Sequence, residues 1–184
     1  MNSTNKFSEL ISLVTGFSER FFYDGSFKVV SEPIRNDLKI IHKSFVSNIL
    51  ICNNQLRMIL KYHYDYRYDY FIQGFSGECD FYKIDDFFLE SSNLVGGRIR
   101  NLFQLDNINI GISIPLRTDG FDELYSLVNF DDLSGEYFWQ LSDGNIDIPM
   151  TLYVEVLDPS ILNNIDFTKA EVADTGLDDD VEFF

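Results

Sequence analysis

The chain has 184 residues, a net charge of −16, and 45% hydrophobic and 16% aromatic residues. One domain with a real core fits that length and apolar content. Affinity for a phosphate backbone comes from lysine and arginine displacing counterions, so a chain this acidic is not expected to bind nucleic acid.

Residues 7 to 22 carry apolar side chains at positions 7, 10, 11, 13, 14, 17, 21 and 22, the spacing of an amphipathic helix that closes near Asp24-Gly25. Phe27 to Val30 reads as a short strand and residues 33 to 39 as a connector. Ser44 to Cys52 and Leu56 to Tyr64 read as the two strands of a hairpin, and Asn53-Asn54 between them suits a tight turn with a left-handed backbone. Residues 65 to 75 fit a helix or irregular structure closing at Gly74 to Gly77. The alternating tyrosines 62, 64, 66, 68 and 70 fit a half-buried strand better than a base-stacking platform, because only Lys61 and Arg67 lie among them.

From Ile84 to Phe103, the residues Ile84, Phe88, Ser91, Ser92, Val95, Ile99 and Leu102 recur at steps of three and four. That is one buried helical stripe. Glu90 and Asn93, three apart, lie off it on one side and face outward. Gly96 and Gly97 would each cost a helix about 1 kcal/mol relative to alanine, so close packing or access is expected there. Further on, residues 108 to 114, 136 to 142 and 150 to 157 read as strands and residues 121 to 127 as a short helix or loop, with Asp143-Gly144-Asn145 a turn. Pro115 has no N–H for a ladder and belongs at a strand end or a sheet edge. Helix, hairpin, helix and more strands predict an α/β sandwich, long helices packed on a mostly antiparallel sheet.

Residues 158 to 184 hold eight acids and one lysine, a net −7. The division expected is a domain over 1–157 and an acidic, flexible tail over 158–184, whose terminal Phe183 and Phe184 suit docking into a basic-rimmed pocket of a partner. Cys52 and Cys79 are the only cysteines, so a disulfide framework is not expected. His42 and His63 lack ligands at metal spacing, which predicts no intrinsic metal or other cofactor. The amino terminus does not read as a signal peptide and no run approaches the ~18 apolar residues of a membrane span, so a cytoplasmic protein without membrane association is expected.

The series Glu90-x-x-Asn93, Gly96, Ser113-x-Pro115 and Gly120 resembles the signature of the CheX/CheC group of chemotaxis phosphatases, in which Glu-x-x-Asn lies on a helix ahead of a strand reading Ser-x-Pro. The order of elements agrees with that group over most of 1–157. The first helix offers only Glu9-Leu-Ile-Ser12 where two-site members repeat the motif, so the likeness is to the single-site CheX type. Ser91 stands where the group usually has an aliphatic residue.

The resemblance implies the same α/β sandwich and one activity: hydrolysis of the aspartyl phosphate of a CheY-type response regulator. It implies that Asn93 and Glu90 are catalytic, that Glu90, Asn93 and Gly97 touch the partner, and that the regulator supplies Mg²⁺. The amide of Asn93 both accepts and donates, which suits holding a water against a phosphoryl group. Glu90 would pair with the regulator's lysine, and Ser113 and Pro115 are structural. Some relatives pair through sheet edges, so the resemblance also allows a homodimer. Two readings compete: a non-catalytic regulator-binding adaptor of the same fold, and a single-stranded DNA-binding protein with a protein-recruiting acidic tip.

Overall fold

In the computed structural model, the residues described are 3–20, 22, 26–35, 41, 43–66, 81–120 and 133–170. The helices are α1 (Ser3–Arg20), α2 (Phe81–Leu105) and a short α3 (Ser160–Asn164). The strands are β1 (Lys28–Val29), β2 (Ile34–Arg35), β3 (Phe45–Cys52), β4 (Leu56–Tyr64), β5 (Gly111–Ile112), β6 (Leu116–Asp119), β7 (Ser134–Ser142) and β8 (Asp147–Val156).

All eight strands join one sheet in the order β1-β7-β8-β4-β3-β5, with β2 also pairing β7 and β6 also pairing β3, and every pairing is antiparallel. The α/β sandwich with a mostly antiparallel sheet is the architecture found.

Alternation along each strand sorts the side chains into two sets. Ile49, Ile51, Met58, Leu60, Tyr62, Tyr64, Trp139, Leu141, Met150, Leu152 and Val154 face the helices and are fully buried. From α1, Phe7, Leu10, Ile11, Val14 and Phe17 fill the other side of that layer, as their spacing requires. Trp139 donates its ring N–H to Ser18 Oγ at 3.0 Å, which satisfies the indole inside the core. Tyr64 stacks on Phe88 with centroids 4.1 Å apart and planes 12° from parallel, a direct tie between β4 and α2. The alternating tyrosines 62 and 64 thus belong to a strand, but wholly buried. Tyr68 and Tyr70 lie outside the described residues.

On the opposite set of β4, His63 is buried and bonded to Thr151 Oγ1 at 3.0 Å. Burial, and after it the charges of Lys61 and Lys43, pushes this imidazole down to about 3, so it is neutral in the folded protein.

Four expectations change at this level. The turn after β3 is not left-handed, since among the described residues other than glycine only Asn107 has positive φ. Instead Asn53 Oδ1 accepts from the backbone N–H of Gln55 at 2.8 Å and of Leu56 at 2.9 Å, so the side chain itself builds the reversal. The strand expected over 108 to 114 is only Gly111–Ile112, and Ile34–Arg35 of the expected connector pairs with β7. Residues 158 to 170 do not begin a tail. Ile161, Leu162 and Ile165 join the core, and Asp106 at the end of α2 accepts from both the backbone of Asp166 and the Lys169 ammonium. Residues 171–184, with Phe183 and Phe184, lie outside the described residues, as do Cys79, His42 and 121–127.

Candidate functional site

Of the candidate residues, Glu90, Asn93 and Gly97 lie on α2, a 25-residue helix about 37 Å long. Its inner stripe is the one read from the sequence: Ile84, Phe88, Ser91, Ser92, Val95, Ile99 and Leu102 are buried. The two serines use that burial differently from an aliphatic pair. Ser91 Oγ donates to Phe87 O at 2.9 Å and Ser92 Oγ to Phe88 O at 2.9 Å. Ser92 Oγ also lies 2.7 Å from Ser47 Oγ of β3, and Ser47 Oγ donates to Phe88 O at 3.0 Å. These hydroxyls fasten the helix to the third strand at one level.

Gly96 serves the inner contact. A Cβ there would lie 2.7 Å from Ile49 Cδ1, so any side chain at position 96 would require the tip of Ile49 to move. Gly97, one residue on and about 100° further round, is itself buried, yet a Cβ there would meet nothing within 4 Å. The adjacent glycines therefore do different things.

Turned outward are Asp86 and Asn93, both exposed, and Glu90, which is half-buried. Glu90 and Asn93 differ by three residues, about 4.5 Å along the axis and 60° around it, and Gly97 falls between them in angle. Neither side chain forms a hydrogen bond or ion pair with any described residue. A carboxylate and a carboxamide thus stand together on a rigid convex face with all their bonding capacity unspent.

The flank of α2 beside Asn93 is bolted to the sheet edge by a polar network that the sequence reading missed. Asp85 accepts from Tyr64 Oη at 2.7 Å and Tyr66 Oη at 3.4 Å and pairs with Arg117 Nε at 3.4 Å. Arg117 in turn lies 4.2 Å above the Phe45 ring and reaches Asp119 at 3.6 Å. Burial first, then the bond to Asp85, raises the Tyr64 hydroxyl well above its usual value, so it remains a donor. The one sequence signal was a pair of adjacent acids, Asp85 and Asp86, too common to read.

Ser113 and Pro115 are structural. Leu50 N donates to Ser113 Oγ at 3.1 Å, Ser113 N donates to Leu50 O at 2.9 Å, and Pro115 sits where β5 ends and β6 has not begun. Gly120 is required by close approach, because a Cβ there would run into the Lys43 carbonyl.

Among the described residues no group of three or more His, Cys, Asp or Glu could hold a metal, and no helix is long and apolar enough to cross a membrane. A cleft of about 380 Å³ is lined by Ser8, Ser12, Glu32 and Tyr137 among others, and no α2 residue takes part in it.

No protein-family model matches the chain, and no curated protein matches it in sequence. Solved structures do match in fold. Chemotaxis protein CheX from Vibrio vulnificus superposes with a TM-score of 0.62 at 13% identity, over 80% of this chain and 99% of that one. CheX from Borrelia burgdorferi, solved in a complex with CheY, BeF₃ and Mg²⁺, gives 0.58 at 12% identity over 84% and 98%. Thermotoga maritima FliY gives 0.54 at 16% identity over 91% and 96%. The chain has the fold of the CheC/CheX-like chemotaxis proteins.

Proposed function

We propose that the protein is a phosphatase for the aspartyl phosphate of a CheY-type response regulator, acting by insertion of the outward face of α2 into the regulator's phosphorylation site. The observation that supports this is the pair Glu90 and Asn93, unengaged and side by side on a helix that the core holds rigid.

In this reading the partner contributes Mg²⁺, its acid cluster and a lysine, which neutralise the phosphoryl oxygens. This chain contributes position. The Asn93 carbonyl accepts a hydrogen bond from a water and its NH₂ donates toward a phosphoryl oxygen, placing the water opposite the aspartyl oxygen. The water oxygen bonds to phosphorus, the P–O bond to the aspartyl group breaks, and inorganic phosphate and a free carboxylate remain. Glu90 pairs with the partner's lysine and fixes how the helix lies across the site, a charge-assisted contact contributing about 1.5–3 kcal/mol. Gly97 leaves space for the partner's backbone.

The test is phosphate loss from a phosphorylated receiver domain with catalytic amounts of this protein. Acceleration is expected for the wild type and is expected to vanish in Asn93→Ala with binding retained. Glu90→Ala is expected to lose both affinity and rate. Binding without acceleration by the wild type would identify a regulator-binding adaptor instead.

A further inference from the structure

Acids outnumber bases 30 to 14 in this chain, so a lysine or arginine without a partner is the exception. Among the described residues, Lys83 and Arg100 are the cations that enter no ion pair, hydrogen bond, ring contact or other electrostatic contact. Both lie on α2. Lys83 is exposed, an ordinary solvated ammonium. Arg100 is half-buried, and its Nε is shielded from solvent with no hydrogen-bond acceptor. A guanidinium in that state loses hydration and gains no bond, which costs stability in the free protein. Its planar fork of donors suits an anion that arrives from outside.

The place of Arg100 on the helix is specific. It follows Asn93 by seven residues, about 10.5 Å along the axis and within about 20° of the same direction. Helical side chains lean toward the N-terminal end, so Arg100 leans back along the outward face toward Asn93, past position 97, which carries no side chain. A partner centred on Asn93 reaches this far, because a standard interface covers about 800 Å² of each protein, a disc of about 16 Å radius. Lys83, about 15 Å the other way and about 80° round, falls at the margin of that disc.

We infer that Arg100 is a further partner-binding residue of the α2 face, pairing with an anionic group at the rim of the regulator's phosphorylation site, a carboxylate or a phosphoryl oxygen. This rests on the proposed function. Charge complementarity selects the occupant: a receiver domain presents an acid cluster and a phosphoryl group, and a chain of net charge −16 is repelled by them unless a local cation meets them. Glu90 then takes the partner's cation and Arg100 its anion, about 15 Å apart along the helix. Two opposite charges at that separation fix the direction in which the regulator lies across α2.

The experiment uses the full chain and a receiver domain, both unmodified and activated by beryllium fluoride and Mg²⁺. Binding is measured by calorimetry, phosphate loss separately, and thermal unfolding for each variant. Arg100→Gln is expected to weaken binding of the activated domain about tenfold, while its own unfolding midpoint stays equal to or above that of the wild type. Arg100→Lys, which keeps the charge and loses the fork, is expected to fall between the two in affinity. Arg57→Gln, at an exposed arginine already paired with Glu155, is expected to leave binding unchanged. An equal loss for the unmodified domain supports the inference with a carboxylate as the anion. A loss confined to the activated domain supports it with a phosphoryl oxygen, for which beryllium fluoride stands in. Unchanged affinity in Arg100→Gln, with turnover still lost in Asn93→Ala, overturns this inference and leaves the proposed function standing. Unchanged affinity with a lowered unfolding midpoint also overturns it and makes Arg100 structural. A wild type that neither binds nor dephosphorylates any receiver domain overturns both.

Discussion

Gly96 and Gly97 look equivalent in the sequence, and both cost the helix about 1 kcal/mol relative to alanine. Their surroundings separate them. Gly97→Ala should recover that propensity, since its Cβ meets nothing within 4 Å, and should raise the midpoint of thermal unfolding. Gly96→Ala must displace the buried Ile49 side chain from 2.7 Å, and overpacking of about 1–3 kcal/mol cancels or exceeds the gain. Its midpoint is expected at or below that of the wild type. If position 97 also faces the partner, the Gly97→Ala protein should be firmer yet bind the regulator less well. Glu90 and Asn93 were readable at this scale because a 3.6-residue period fixes which positions can share the outward side of a helix.

At the scale of elements, α2 depends on its ties to the sheet as much as on its stripe. Tyr64 is fully buried and its hydroxyl has Asp85 as acceptor. Asp85→Ala leaves that hydroxyl without its partner and takes one anchor from Arg117, so a loss of about 1–3 kcal/mol is expected in denaturant titration. Tyr64→Phe removes the donor instead and leaves Asp85 its contacts with Tyr66 and Arg117, so a smaller loss, about 0.5–1.5 kcal/mol, is expected. The long elements were legible because hydrophobic period accumulates along them. β2 and β5, at two residues each, offer no period to count. The turn after β3 was legible as a reversal from its two asparagines, but whether the backbone or the Asn53 side chain would make it depends on bonds that composition does not encode.

For the whole molecule, stability follows protonation. His63 is neutral in the fold, with its pKa down at about 3 from 6.5, so below pH 6.5 the unfolded chain binds a proton that the folded one refuses. A lowered folded value gives stability that is complete above the unfolded pKa and lost as pH falls toward the folded one. The loss should approach about 1.4 kcal/mol per pH unit below pH 6.5. Asp65 and Asp106 add to it at lower pH. Burial alone would raise both carboxyls, but hydrogen bonds from Ser44 and Lys43 to the first, and from Asp166 and Lys169 to the second, hold them below the usual value. Unfolding free energy measured from pH 7.5 to 4.5 should therefore decline, and His63→Gln should flatten the slope between pH 6.5 and 5. An unchanged slope in that variant would assign the decline to other groups. The C-terminal part of this fold was hidden by averaging: eight acids over residues 158–184 masked Ile161, Leu162 and Ile165, which close the core beside α1.

The hydroxyl pair between Ser47 and Ser92 bears on specificity more than on strength. Purely aliphatic layers tolerate sliding, because one methyl group serves nearly as well as the next. Two buried oxygens 2.7 Å apart do not: a shift of α2 by a single turn would take from Ser47 Oγ both of its partners, Ser92 Oγ and Phe88 O, and leave Ser92 only its bond to Phe88 O within the helix. The fastener works like a notch on a shaft, indexing both the height and the rotation at which this rod can rest. Whatever the far side of the rod offers to a visiting molecule is aimed from within, by atoms that never meet the visitor.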